Sequence, residues 1–161
     1  MFVCTGNTCR SPMAEGILKM ALKDRGVENV EVKSAGTYGL RLTPASAFAA
    51  AAARAIGADL SRHRSRQLSR EMMERADLIL VMSPEHADHI GRMDRAALKK
   101  TYLLKSFPSG EDVSNADTGA GVLSIKDPIG GVFEDYQRSC SEIEKQINRI
   151  LPEILHRAKK G

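Results

Sequence analysis

A thiol, a guanidinium and a hydroxyl lie within one short stretch, which reads Cys4-Thr5-Gly6-Asn7-Thr8-Cys9-Arg10-Ser11. The apolar residues Phe2 and Val3 precede it, so the stretch forms a loop between a strand and a helix N-terminus. Such a loop directs several backbone N–H groups into one concave space that suits a tetrahedral oxyanion. The same positive field predicts a pKa for Cys4 well below that of a free cysteine. Arg10 can clamp two phosphate oxygens with its planar fork, so the stretch predicts phosphoryl transfer through a cysteine.

Other interpretations of these residues remain open at this point. A cysteine after an apolar run is often a small buried hydrophobe, and Gly6-Asn7 is a common turn pair. Cys4 and Cys9 could also form half of a metal site, but no second pair of Cys or His follows at ligand spacing. His86 and His89 share one helix face without a set of acidic partners. We therefore expect neither a metal nor another cofactor.

Length and composition limit the class of protein. A chain of 161 residues, 42% of them hydrophobic, predicts one domain over residues 1–161 with a proper core. No run approaches a membrane span, no signal segment opens the chain, and three cysteines do not make a secreted disulfide framework, so we expect a cytoplasmic monomer. A net charge of +4 suits an anionic substrate or a nucleic acid, but 4% aromatic residues without Trp disfavour binding to bases.

Strands and helices alternate along the chain. The continuous apolar run at 78–82 is typical of a strand buried on both faces of a parallel sheet. The other predicted strands cover 1–3, 30–34 and 101–104, and the predicted helices cover 12–25, 44–56, 69–75, 83–93 and a long segment after residue 132. This order predicts an α/β three-layer sandwich, with a central four-stranded parallel sheet flanked by helices. Cys4 then lies at the carboxyl end of a strand, where ligands bind in such folds.

Two local expectations follow from helix chemistry. Ser11 can cap the first helix, with Pro12 at its first position. In the last helix the apolar residues keep helical spacing, but Pro152 predicts a kink or break near residues 148–152.

The long loop over residues 106–131 contains the candidate acid. A phosphorylated cysteine forms easily only if the leaving atom receives a proton. Asp127 precedes Pro128, which favours an extended backbone, and the loop can reach the strand ends near Cys4. Asp112 and Asp117 lie in the same loop and remain alternatives.

The stretch from Val3 to Glu15, Val3-Cys4-Thr5-Gly6-Asn7-Thr8-Cys9-Arg10-Ser11-Pro12-Met13-Ala14-Glu15, resembles the opening signature of the low-molecular-weight protein tyrosine phosphatase family. Further stretches resemble that family in the same order along the chain: 34–37, 65–68, 77–82 and Asp127-Pro128. The resemblance implies that Cys4 is the nucleophile, Arg10 the phosphate clamp and Asp127 the general acid and then the general base. It also implies that Ser11 keeps Cys4 ionised and that Asn7 holds the loop in a strained shape. The residues implied to bind phosphate are Thr5, Gly6, Asn7, Thr8, Cys9, Arg10 and Ser11.

The residue between Asn7 and Cys9 bears on the substrate. Tyrosine-specific members of the family usually have an aliphatic residue there, whereas Thr8 resembles the protein-arginine phosphatase branch. A hydroxyl can meet the N–H of a phosphorylated guanidinium, which an isoleucine cannot do, although Thr8 could also serve only to pack the loop. Ile129 departs from the family, since tyrosine phosphatases often have an aromatic residue there and arginine phosphatases a Phe. Residues 106–126 also look longer than the family loop, with Asn115–Gly121 unaccounted for.

Phosphorylated proteins are therefore the expected partners, with phosphoarginine preferred and phosphotyrosine as the alternative. A thioredoxin-coupled arsenate reductase shares a similar loop but needs a later pair of relay cysteines, and only Cys140 follows Cys9. A phosphate- or RNA-binding module could instead use the basic run Arg62, His63, Arg64, Arg66 and Arg70 without turnover. Cys9 could also approach Cys4 and form a protective disulfide.

Overall fold

The computed structural model describes residues 1–109 and 123–159. Its strands are β1 (Phe2–Cys4), β2 (Ser34–Gly36), β3 (Ile79–Val81) and β4 (Thr101–Leu103). Its helices are α1 (Arg10–Lys23), α2 (Ala47–Ala55), α3 (Arg70–Arg75), α4 (Pro84–Met93) and α5 (Phe133–Ala158), with a 3₁₀ helix at Arg95–Lys100. The strands form one parallel sheet in the order β2-β1-β3-β4. This architecture confirms the predicted α/β fold with helices on both faces of a four-stranded parallel sheet.

The side chains of the strands alternate between two apolar layers, as the pleat of a strand requires. Phe2, Cys4 and Leu80 pack with α1, α2 and α5 on one face. Val3 and Ile79 pack with α3 and α4 on the other face. The sulfur of Cys4 therefore emerges from β1 on the side of α1 and α5, directly before the loop.

The second strand and the first two helices differ from their predicted bounds. β2 covers Ser34–Gly36 rather than residues 30–34, because Phe2 pairs with Ser34 and the sheet continues from there toward the loop. α2 begins at Ala47, since Ser46 accepts the N–H of Ala49 as its cap. α1 begins at Arg10, so Ser11 lies inside the helix and does not cap it.

The last helix runs without a break across Pro152, so of the predicted kink or break near residues 148–152 the break is wrong. Pro152 is exposed, whereas Ile150, Leu151 and Ile154 are buried against the core. Packing of that apolar stripe holds the helix together where one backbone hydrogen bond is missing.

Part of the predicted long loop, residues 110–122, lies outside the described residues, together with Asp112, Asp117 and the stretch Asn115–Gly121. Among the residues that are described, no helix is both long and apolar enough to cross a membrane.

Candidate active site

The carboxyl end of β1 leads into the loop of residues 4–11, which we call the phosphate loop. Cys4 is 2% exposed, and its Sγ atom lies 2.9 Å from the Ser11 hydroxyl. The backbone N–H groups of Asn7 and Ser11 also hydrogen-bond the sulfur. Donors from the loop and from the first turn of α1 thus converge on one thiol, as an anion-binding helix N-terminus requires.

Asn7 holds this loop in shape. Its φ of 54° lies in the left-handed region, which non-glycine residues seldom adopt. Its side-chain oxygen accepts the backbone N–H of Arg66 at 2.9 Å, so its amide nitrogen must face Ser11 and Ser34, each at 2.9 Å. The Asn7 carbonyl lies 2.7 Å from Nε2 of His63. These contacts compensate for the backbone strain, as the family resemblance implies.

The close approach of β2 to the loop depends on Gly36. A Cβ atom there would lie 2.4 Å from the Thr5 carbonyl oxygen and 2.8 Å from the Cα of Gly39. The backbone N–H groups of Thr37 and Tyr38 can therefore donate to the carbonyls of Cys4 and Thr5 at 2.9 and 3.0 Å. Glycine at this position lets the neighbouring segment support the phosphate loop.

Opposing influences act on the Cys4 thiol. Burial is the largest and raises its pKa, whereas the Ser11 hydroxyl, the two backbone N–H groups and the Arg10 guanidinium lower it. The net direction is upward, which differs from the lowered pKa predicted from the loop. The sequence indicates the helix N-terminus beside the sulfur, but it does not show how completely the thiol is removed from water.

Ser11 offers a direct test of this balance. Because the Asn7 amide donates to the Ser11 oxygen, the Ser11 hydroxyl hydrogen is available to the sulfur and stabilises the thiolate. We expect Ser11→Ala to raise the pKa of Cys4 further, which the pH dependence of alkylation by iodoacetamide would measure. Ser106→Ala is the control, since that buried hydroxyl donates to the Leu103 carbonyl. An unchanged alkylation profile in Ser11→Ala would show that the hydroxyl does not support the thiolate.

Arg10 connects the phosphate loop to the segment that contains Asp127. Its Nη2 lies 2.5 Å from Asp127 Oδ2, and its Nη1 donates to the Ile125 carbonyl at 3.1 Å. The guanidinium side chain is 5% exposed and the Asp127 side chain 37% exposed. Asp127 also accepts the backbone N–H of Ile129 at 3.1 Å, which fixes the direction of its carboxylate. Two residues separated by 117 positions are thus in contact at the end of β1.

The other residues of the phosphate loop differ in exposure. Thr5 is exposed, and Gly6 and Thr8 are half-buried, so these three border the open side of the loop. The Cys9 side chain is buried, with Sγ 3.4 Å from Ser46 Oγ and 4.0 Å from the Tyr136 hydroxyl. Cys9 therefore packs the loop against α2 and α5. Cys4, Cys9 and Cys140 are all free thiols.

The sequence patterns did not identify several residues that contact the loop. His63 belongs to the basic run, and Arg66 belongs both to that run and to the family-like stretch 65–68, but neither pattern predicts that the ring of one and the backbone of the other hold Asn7. The sequence pattern offers His86 only as a metal ligand, but its Nε2 lies 2.9 Å from the Thr5 hydroxyl. Its place just after β3 is the signal that could have found it, since β3 neighbours β1 and carboxyl ends of parallel strands meet at one edge.

The described residues contain no group of three or more His, Cys, Asp or Glu side chains that could hold a metal ion. The arrangement instead joins a buried sulfur, a buried guanidinium and a partly exposed carboxylate. A nucleophile, an anion clamp and a proton donor are the groups that transfer of a phosphoryl group through a covalent intermediate requires.

Comparisons with known proteins agree with this chemistry. Residues 1–160 match the family model described as low molecular weight phosphotyrosine protein phosphatase. The chain is 37% identical over 154 residues to a protein-arginine-phosphatase of Geobacillus stearothermophilus, covering 96% of this chain and 94% of the relative. It is 44% identical over 154 residues to a probable low molecular weight protein-tyrosine-phosphatase, EpsP, of Ralstonia nicotianae, with the same coverage of 96% and 94%. The solved arginine phosphatase of Geobacillus stearothermophilus superposes with a TM-score of 0.82 at 36% identity, covering 99% of this chain and 94% of that one.

Proposed function

This chain belongs to the low molecular weight phosphotyrosine protein phosphatase family, and from that premise we propose that Cys4, Arg10 and Asp127 are the residues that hydrolyse a phosphorylated protein side chain. The chain is a cysteine-dependent phosphoprotein phosphatase. The observation that carries the proposed roles is the contact between Arg10 and Asp127 beside the buried sulfur, at the end of β1.

Two steps follow from these roles. In the first step Cys4 reacts as a thiolate, which the Ser11 hydroxyl, the loop N–H groups and Arg10 stabilise against the effect of burial. The sulfur attacks phosphorus, the bond from phosphorus to the substrate side chain breaks, and Asp127 protonates the leaving atom. In the second step the Asp127 carboxylate takes a proton from water, the water oxygen attacks phosphorus, and the S–P bond breaks. Inorganic phosphate leaves and Cys4 becomes a thiolate again. Arg10 and the backbone N–H groups of the phosphate loop bind the phosphoryl oxygens throughout both steps.

We further propose that phosphoarginine is the preferred substrate. Support comes from Thr8, which borders the open side of the phosphate loop. Its hydroxyl oxygen lies 3.4 Å from the position that a Cβ atom on Gly6 would occupy. Within the described part of the chain its hydrogen-bond contact is a long one, 3.7 Å to Cys9 Sγ. This hydroxyl can therefore meet the N–H of a phosphorylated guanidinium. The named activity of the Geobacillus relative supports the same substrate.

Substitution of Thr8 tests the substrate directly. We expect Thr8→Ile to lower kcat/KM for a phosphoarginine peptide by about tenfold or more, because a buried N–H of the substrate loses its acceptor. The same variant should gain activity on a phosphotyrosine peptide, since isoleucine offers an apolar wall to a ring. Thr8→Ser, which keeps the hydroxyl, is the matched control and should retain the preference. Equal preference in wild type and Thr8→Ile would exclude Thr8 as the selective residue.

Phosphotyrosine is the second candidate substrate, favoured by the 44% identity to the probable tyrosine phosphatase of Ralstonia nicotianae. The chain lacks the later pair of relay cysteines that arsenate reduction needs, because the single cysteine after Cys9 is Cys140, which is 2% exposed in the core. We also propose that the enzyme acts in the cytoplasm as a monomer; its three free thiols fit a compartment where cysteines stay reduced.

A further inference from the structure

His86 lies beside the active site but has no part in the two steps above. It is the third residue of α4 and is 1% exposed. Its ring is held at both nitrogens, with Nε2 2.9 Å from the Thr5 hydroxyl and Nδ1 2.9 Å from the Ser83 hydroxyl. Both hydroxyls can donate or accept, so the direction of these bonds depends on the next partners.

The contact with Ser83 determines which atoms donate in the hydrogen bonds of the His86 ring. The Ser83 hydroxyl also interacts with the Glu85 carboxylate and lowers its pKa, and an ionised carboxylate can only accept a hydrogen bond. Ser83 therefore gives its hydrogen to Glu85, and its oxygen accepts from Nδ1–H of His86. The Nε2 atom of a neutral ring then carries the lone pair and accepts the hydroxyl hydrogen of Thr5. Burial, followed by the nearby Arg10 guanidinium, lowers the pKa of His86 to about 4, so the ring is neutral at neutral pH.

The Thr5 hydroxyl that contacts His86 also contacts Arg10. A threonine hydroxyl has one hydrogen, and once that hydrogen points to His86 the oxygen lone pairs are left for another donor. Arg10 Nη2 lies 3.5 Å from this oxygen, on the same guanidinium nitrogen that contacts Asp127. A guanidinium can only donate, so the contact requires Thr5 to accept.

We propose that His86 is a positioning residue: by accepting the Thr5 hydroxyl hydrogen it presents the Thr5 oxygen to Arg10 and so orients the phosphate clamp. The proposal rests on the phosphate-binding role proposed above for Arg10. Without His86, the Thr5 hydrogen is free to turn toward Arg10, where it would repel the guanidinium N–H.

Asparagine and glutamine at position 86 separate this role from a merely structural one. The asparagine amide can replace Nδ1 toward Ser83 but is too short to reach Thr5, whereas the glutamine oxygen can replace Nε2. With an aryl phosphate as substrate and inorganic phosphate as competitive inhibitor, we expect His86→Asn to raise the inhibition constant and lower kcat/KM by about tenfold. For His86→Gln, we expect both the inhibition constant and kcat/KM to stay within about threefold of wild type.

Thr5→Val supplies a second line of evidence, because it removes the hydroxyl at an exposed position. We expect the same loss of about tenfold, and no further loss when it is combined with His86→Asn, since both changes remove one shared contact. Three outcomes would each overturn the proposal. His86→Asn and His86→Gln could be equally impaired, or the losses could multiply in the double variant. The inhibition constant and kcat/KM of His86→Asn could also stay within about twofold of wild type. If His86→Asn does not fold, the comparison of Thr5→Val with wild type decides.

Alkylation of Cys4 distinguishes this failure from failure of the proposed function. If alkylation abolishes turnover in wild type and variants alike, unchanged constants would exclude only the role of His86. If turnover survives alkylation of wild type, the proposed function itself fails.

Discussion

Changing Cys4 to Ser is expected to lower kcat by at least about 10⁴-fold on any phosphorylated substrate, because a buried hydroxyl does not ionise and forms no phosphorylated sulfur. Substrate binding should persist, since Arg10 and the backbone N–H groups of the phosphate loop are unchanged. Single-turnover kinetics and binding of a phosphoarginine peptide would measure both effects.

Cys140→Ser is the matched control for this change. Cys140 is also a buried cysteine, but burial raises its pKa to about 11 and it packs in the core stripe of α5. The control should keep the kcat of wild type. Turnover by Cys4→Ser above about one hundredth of the wild-type rate would contradict a phosphocysteine intermediate. If the wild type binds the peptide but does not hydrolyse it, the protein is a binding module instead.

Changing Asp127 to Asn should reduce kcat by about 10²- to 10⁴-fold, which is the range for loss of a general acid and base. The loss should be greater for a substrate with a poor leaving group, because that group depends on protonation. With a reactive aryl phosphate the first step survives while hydrolysis is slowed, so we expect a burst of released aryl alcohol and accumulation of phosphorylated Cys4. Rapid-mixing kinetics and mass measurement of the trapped protein would detect both.

Asp135→Asn controls for loss of one carboxylate nearby. Asp135 lies in the first turn of α5, where it pairs with Arg138 and accepts the backbone N–H of Val132. Its removal should leave kcat unchanged. If Asp127→Asn is as active as this control, the proton must come from another acid, and Asp112 and Asp117 become the candidates.

Local sequence patterns predicted the fold and the residues at the centre of the site. The apolar run at 78–82, the Cys4-to-Ser11 stretch and the Asp127-Pro128 pair all lie where the sequence indicated. The parallel sheet follows from alternating strands and helices, whereas the order of its strands is seen only in the structure. The carboxyl-end rule then brings Cys4 to the edge where ligands bind.

The parts that the sequence did not predict depend on contacts between distant segments. The local pattern around Ser11 predicts a helix cap, but its hydroxyl contacts the sulfur, a contact that only the family resemblance implies. The amide of Asn7 is fixed by the backbone of Arg66, 59 positions away, and no periodicity encodes such a contact. The pKa of Cys4 depends on complete burial, which appears only once α1 and α5 cover β1.

The ion pair between Arg10 and Asp127 has a consequence for the end of each catalytic cycle. A guanidinium that is 5% exposed would be costly to leave without a counter-ion when phosphate departs. Once Asp127 releases to solvent the proton that it took from water, its carboxylate 2.5 Å away pairs with that charge, so one anion replaces another as the product leaves. An incoming substrate must displace the same carboxylate, which frees it from the guanidinium so that it can take up a proton and face the leaving group.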